Sequence, residues 1–457
     1  MNMAQNKQGR FFLPFKMMMI GLLTLLLLIP VAFISSIIDE RQSTNRLAVA
    51  EIGHSWGDPQ KLGGPLLIVP YKIRMPDDKG TQHVTIHRAF ILPDDLNIEA
   101  ELTPEKRQRG IYETAVYRVS LKCSGQFSLD ALSQLRIPPG DLLWDDAFLV
   151  VGIPDMRGIT EAVSLSFAST DLHFNPGTQN VSLFPSGIHA GIEKLGSQTI
   201  GGILPFSFSL SLNGSQDLSF VPLGKETRVT VRSSWPDPSF SGAYLPSQRH
   251  VTNDGFDATW AISYFGRNYP QFWTSANTNP TTIDEAVNRS SFGVRLLIPV
   301  DFYHQVTRAA KYAILFVALT FLVFFLHEVF NPLRIHPLQY LLVGFALCLF
   351  YLLLLSASEY LSFGVSYLLG GAATVILITG YTSVILKNKF RSFGMGLTLS
   401  GLYVYLYILL QIEEYALLIG STGLFAVLAV IMYITRHVDW YALKLTMRPD
   451  GSGTGAE

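Results

Sequence analysis

Charge is scarce in this chain. Only 15% of its 457 residues are Asp, Glu, Lys or Arg, where soluble domains carry about 25%. The net charge is −1, so no basic excess argues for nucleic acid as a partner. Cysteine is scarcer still, with Cys123 and Cys348 the two present. The first falls in a polar stretch and the second in an apolar run, so they are expected not to meet. That excludes an intramolecular disulfide and a cysteine metal site. Common catalytic signatures are missing as well: no Gly-x-Ser-x-Gly elbow, no His-Glu-x-x-His helix, no phosphate loop. His83 and His87 stand four apart, but on a strand that spacing is ~13 Å, too far for one ion. No metal and no cofactor are expected.

What the chain has in place of charge is apolar length. One run spans Met17–Ile38, and five crowd the last third at about 312–330, 338–355, 365–385, 393–410 and 416–434. Each approaches the ~20 apolar residues that a helix needs to cross ~30 Å of hydrocarbon. The first run follows Lys7, Arg10 and Lys16 and ends Ile37-Ile38-Asp39-Glu40-Arg41, without a small-x-small cleavage pattern. It is also longer than the apolar core of a cleaved signal, so it reads as a retained signal anchor. Pro30 is expected to kink this helix. Basic residues mark alternate connections: the N-terminal arm, Arg334, the Lys387–Arg391 loop, and a tail with Arg436, Lys444 and Arg448. The other loops carry Glu359, Glu413 and Glu414. By the positive-inside rule both termini are cytoplasmic and residues 39–311 face outward. Tyr351, Tyr360, Tyr403, Tyr407, Trp440 and Tyr441 read as interfacial aromatics. His327 and Glu328, close to a span end, read as groups that snorkel into the interface. Gly370, Gly371, Ala372 and Ala373 read as a packing surface within the bundle.

The outward segment alternates at period two, the signature of half-buried strands. Phe206, Phe208, Leu210 and Leu212 alternate with serines, and Tyr117, Val119, Leu121 and Cys123 alternate with Arg118, Ser120 and Lys122. Val163, Leu165 and Phe167 share a face, as do Val229 and Val231; Val84, Ile86, Phe90 and Leu92 are expected to share another. Turns such as Gly63-Gly64-Pro65 and Asn213-Gly214 punctuate the strands. No long helical periodicity is read here, apart from an outward continuation of the first span through Ala50. The expected fold is therefore a membrane protein of six transmembrane helices, one N-terminal and five C-terminal. A large all-β, sandwich-like antiparallel domain is inserted after the first span. The expected divisions are 1–38 (arm and anchor), 39–311 (β domain), 312–440 (five-helix bundle) and 441–457 (tail).

One segment stands apart: Ser234-Trp235-Pro236-Asp237-Pro238-Ser239-Phe240, followed by Tyr244-Leu245-Pro246. Two prolines flanking an aspartate fix the backbone. Trp235, Phe240 and Tyr244 then serve either as a recognition surface or as pins onto the sheet.

Beside the Trp235–Phe240 loop with Gly255-Phe256 stand Gln60-Lys61-Leu62-Gly63-Gly64-Pro65, Arg109-Gly110-Ile111-Tyr112 and Asp155-Met156-Arg157-Gly158-Ile159. The membrane part adds Arg308–Leu315, His336–Gly344 and Asp439-Trp440-Tyr441. On these segments the chain resembles the CreD family of bacterial inner-membrane proteins, linked with envelope integrity and colicin tolerance. The family often has histidine between the two prolines where this chain has Asp237, which argues against a required imidazole there. The resemblance implies an inner membrane, a periplasmic β domain, expression under a two-component system and a role in envelope stress or β-lactam response. It implies no reaction. The reading is a non-enzymatic protein with the lipid bilayer and an unknown envelope component or membrane protein as partners. Its candidate binding residues are Trp235, Asp237, Phe240, Tyr244, Arg109 and Tyr112. Two rivals stand beside it: a transporter or lipid-handling protein using the bundle, and a periplasmic glycan hydrolase using Asp155 and Asp237.

Overall fold

The computed structural model describes residues 12–76, 82–192, 202–298, 302–330, 335–386, 389–412 and 415–436. Contacts divide the chain into two compact units, Asn45–Pro299 and the remainder, Met1–Thr44 with Val300–Glu457.

Among the described residues, six helices are long and apolar enough to cross a membrane. The first is interrupted: α1 (Phe12–Leu26) and α2 (Leu28–Trp56) meet at Leu27. Pro30 has no N–H to donate to the carbonyl four residues back, so the ladder breaks there. Leu27 N still donates to Leu23 O at 3.0 Å, and Val31 N to Leu27 O at 3.3 Å. α2 continues to Trp56, six residues beyond the expected Ala50. Two short helices, α3 (Asp130–Gln134) and α4 (Pro280–Arg289), decorate the β unit. The rest follow in order: α5 (Phe302–Lys311), α6 (Ala313–Phe330), α7 (Pro337–Ser358), α8 (Phe363–Leu386), α9 (Lys389–Gln411) and α10 (Ala416–Thr435). The His336-Pro337-Leu338-Gln339 motif is a helix start. His336 Nδ1 accepts from Leu338 N at 3.2 Å, and Gln339 Oε1 accepts from His336 N at 2.9 Å. This capping box satisfies donors that a helix end leaves open.

Three sequence expectations for the helices change. Tyr351 and Tyr403 are not interfacial; they are 1% and 4% exposed, packed edge-on against Phe350 in an aromatic cluster with Tyr367. Gly370 and Gly371 admit that cluster, since a Cβ would lie 3.4 Å from Phe350 and 3.3 Å from Tyr403. Ala372 and Ala373, by contrast, face outward. Glu328 does not snorkel: it is buried, ion-paired with Lys16, and accepts from Tyr340 OH at 3.2 Å and Ile335 N at 3.3 Å. A carboxylate with such partners is held in place and has no need to reach water. Trp440 and Tyr441, like Arg334, Lys387, Glu413 and Glu414, lie outside the described residues.

The β unit holds 17 described strands in two sheets, numbered in chain order. One contains β1 (Gln60–Pro76), β2 (Gln82–Ile91), β5 (Phe148–Gly152), β8 (Asn175–Pro176), β9 (Gly187–Gly191), β11 (Asp217–Phe220), β13 (Pro238–Gly242), β16 (Phe272–Thr274) and β17 (Phe292–Leu296). Its order is β13-β17-β11-β1-β5-β9-β8, with β2 joining β1 to β16. The other contains β3 (Asp95–Arg109), β4 (Tyr112–Ser128), β6 (Ser164–Phe167), β7 (Thr170–His173), β10 (Ile203–Ser215), β12 (Glu226–Ser233), β14 (Gln248–Thr252) and β15 (Gly255–Ser263). Its order is β14-β15-β12-β3-β4-β10-β6-β7. Most pairings are antiparallel; β1 with β11 and β3 with β12 are parallel, so the sheets are mixed.

Alternation places the core as read. Phe206, Phe208, Leu210 and Leu212 are buried, as are Val119, Leu121 and Cys123 on the facing strand. β2 departs from its expected face. Val84 and Ile86 are 52% and 66% exposed, whereas Ala89 and Ile91, of the opposite parity, are buried. Val84 and Ile86 pair with Arg74 and Lys72 of β1, where the two-stranded ribbon outgrows the core.

Candidate functional site

The motifs singled out in sequence converge on two places in the β unit. The first is where the C-terminal end of α2 seats on the sheets. Asp155 is buried and its carboxylate accepts four hydrogen bonds. Oδ1 takes Arg157 N at 3.0 Å and Arg157 Nε at 2.9 Å; Oδ2 takes Arg157 Nη2 at 2.9 Å and Asp58 N at 3.0 Å. The bond to Arg157, joined by those backbone N–H groups, pulls its pKa down to about 2. The Arg157 guanidinium also reaches Asp58 Oδ2 at 3.1 Å and lies 3.2–3.3 Å from both nitrogens of His54. Gln60 Nε2 bridges the carbonyls of Asp155 and Asn213 at 3.1 and 2.9 Å. Close approach is built in: a Cβ on Gly57 would meet Asn213 O at 2.6 Å, and one on Gly158 would meet the same atom at 2.5 Å.

The β3–β4 hairpin meets the same helix. Trp56 Nε1 donates to Tyr117 O at 3.1 Å, and the Arg107 guanidinium stacks 3.9 Å from the Trp56 ring centroid. Arg109 pairs with Glu51 at 2.7 Å, but both side chains are mostly exposed, so the pair contributes little. Tyr112 is half-buried opposite Arg109. Gly110 between them takes φ +64°, which a two-residue hairpin turn asks of its first position.

The second place is the Trp235 loop, and its aromatics turn inward. Trp235 is 5% exposed and its Nε1 donates to Leu297 O at 2.8 Å. It continues the inward face of Val229 and Val231, both fully buried. Phe240 packs edge-on against Phe256 and Trp260. Tyr244 sits edge-on to Phe292, and its hydroxyl donates to Gly266 O at 2.7 Å. Asp237 alone of this set is exposed, and its carbonyl accepts from Leu297 N at 3.2 Å. The loop therefore pins β13 and β17 together; Ser234, Pro236, Asp237 and Leu245, the last 69% exposed, are among the side chains it leaves to solvent.

Sequence reading missed a third feature. Arg267 is 8% exposed and donates to the carbonyls of Pro222 and Leu223 at 3.3 and 2.7 Å and to Gln271 Oε1. Tyr269 OH donates to Pro222 O at 2.7 Å, and Gln271 Nε2 to Leu92 O and Pro93 O. Burial lowers the arginine's pKa and raises that of Tyr269. A lone arginine in a loop carries no sequence signal for such a knot. Cys123 is buried and its thiol pKa is pushed up to about 12, so it is a poor nucleophile. No group of three or more His, Cys, Asp or Glu among the described residues could hold a metal ion.

Six membrane-length helices with a β-rich domain inserted after the first define a multi-pass membrane protein carrying one large extramembrane β domain. Residues 13–441 match the family model described as "Inner membrane protein CreD". Over 425 residues the chain is 35% identical to the inner membrane protein CreD of Escherichia coli (strain K12), covering 92% of each protein. The chain belongs to the CreD family.

Proposed function

We propose that this chain is a non-enzymatic inner-membrane protein of envelope maintenance whose β domain binds an envelope component or another membrane protein. In this reading both termini are cytoplasmic and residues 39–311 are periplasmic. The observation that carries the binding role is β14. It closes one edge of the eight-stranded sheet and is exposed along all five residues, Gln248–Thr252. Open strand edges are templates for added strands. The hydrolase reading has less support. A glycosidase acid must hold a proton near neutral pH, whereas Asp155 is kept ionised by Arg157.

A photo-crosslinking residue at Val251 in intact cells should give a discrete adduct, whereas one at Arg228, in the interior of the same sheet, should not. Gln248→Lys on the same strand, a charge of the kind that guards natural edges, should remove the adduct formed from position 251 and, alone, reproduce the envelope sensitivity of a deletion strain at unchanged abundance. Equal crosslinking from both positions would end the proposal. Orientation is tested separately: alkaline phosphatase should be active when fused after Ile200 and inactive when fused after Arg448.

A further inference from the structure

Within the helical unit, α6, α9 and α10 enclose a cleft of about 470 Å³. One wall is a stripe on α6 that steps by three and four residues from Leu319 to Phe330; the other is a matching stripe on α10 from Ala426 to Ile434. Thr398 and Leu402 of α9 form the floor. Every lining side chain is apolar except Thr398 and His327. The cleft opens sideways: Phe330 and Ile434 remain 48% and 47% exposed, and α10 contributes no buried residue. Its volume is within the ~300–1,000 Å³ of small-molecule sites. Its walls lie in membrane-length helices, where the surrounding solvent is acyl chain.

One end of this trough is basic. Successive spans alternate in direction, so α6 and α10 end where α9 begins. His327 lines the cleft one turn before the end of α6. Arg391 lies seven residues before Thr398, two turns away on the same face of α9. Arg436 follows the last residue of α10. A guanidinium has five N–H donors, so it can serve a phosphate while keeping other bonds. Basic pockets between membrane helices recognise anionic head groups.

We propose that this cleft binds one anionic diacyl phospholipid. A chain lies along the α6 and α10 stripes, and the phosphate sits at the His327 and Arg391 end. An apolar trough with a cationic mouth matches that amphiphile better than a zwitterionic lipid or a soluble anion.

The test is native mass spectrometry of the full-length protein with phosphatidylglycerol or phosphatidylethanolamine added at equal concentration. The wild type should retain one phosphatidylglycerol at several-fold higher occupancy than phosphatidylethanolamine. Arg391→Gln with His327→Gln should bring the two lipids to parity. Thr398→Trp should remove both adducts by filling the floor, and Ala426→Trp fills the trough from the other wall should the first variant not fold. No retained lipid in the wild type, equal occupancy of the two lipids, or adducts that survive a tryptophan in a folded variant would each overturn the proposal and leave an ordinary lipid-facing surface.

Discussion

Among the described residues, each unit of this protein buries a carboxylate against a cation, and the two are built differently. In the β unit, Asp155 takes Arg157 from two residues along the chain, and the guanidinium is 55% exposed. In the helical unit, Glu328 takes Lys16 from the other end of the sequence, and the side chains are 9% and 6% exposed for Lys16 and Glu328. Lys16 Nζ also donates to Ile335 O at 3.2 Å. The first pair is a local turn whose charge is partly solvated. The second ties α1 to the last turn of α6, with Lys16 reaching on to Ile335 before α7, and depends wholly on its partners. Energetically this matters because a buried ion that loses its partner stays desolvated, whereas a half-exposed one is rescued by water.

Breaking the deeper pair should give the largest effect. Lys16→Met alone leaves Glu328 buried without its cation and should cost about 3–5 kcal/mol, read as lost thermal stability in detergent. Adding Glu328→Leu should restore most of that loss, because an apolar replacement of both ions is often neutral. If the double variant is as unstable as the single, the pair is not the source. Trp235→Ala provides an apolar yardstick in the β unit. As a large-to-small core change it should cost a similar ~3–5 kcal/mol, and abundance should fall with it. Loss of function at wild-type abundance would instead make the loop a binding surface.

Next in size is Asp155→Asn. Its folded pKa is lowered from 3.8 to about 2, so the unfolded chain takes up the proton first. The stabilisation is therefore present above about pH 4 and lost as pH falls through about 2. A shift of this size corresponds to ~2 kcal/mol, trimmed to roughly 1–2 by the exposure of Arg157. The difference in melting temperature between wild type and Asp155→Asn should be full at pH 7 and shrink on acidification towards pH 2. A difference independent of pH would mean that the lost hydrogen-bond geometry, not charge, is what Asp155 supplies.

The same divide between local and distant partners sets what is legible in sequence. Span positions and strand faces such as Phe206–Leu212 read directly, because period and length are local properties. The Asp155-Met156-Arg157 turn was visible as a motif, because its partners are neighbours. Lys16 with Glu328 was not, since nothing local to either residue names a partner 312 positions away. β2 misled for a related reason: which face of a strand is buried depends on where the core stops, and Val84 and Ile86 lie beyond it. The two parallel pairings likewise require crossovers that alternation cannot show. Among the candidate binding residues, Trp235, Phe240 and Tyr244 are aromatic enough to suggest recognition, yet each is spent on core contacts.

Asp237→Ala should have the smallest effect and isolates the one charged side chain of that loop, which faces solvent. The side chain is exposed, and the Asp237 carbonyl, which the substitution keeps, accepts the hydrogen bond from Leu297 N. Pro236 and Pro238 hold the backbone whichever residue stands between them. Stability should therefore stay within about 0.5 kcal/mol of wild type. With the fold unmoved, the envelope phenotype reads the loop alone. Full complementation by Asp237→Ala would confine the loop to its structural role and leave the open β14 edge as the better binding surface. Lost complementation at unchanged stability would instead place recognition at Asp237, against the weight that Trp235, Phe240 and Tyr244 give to structure.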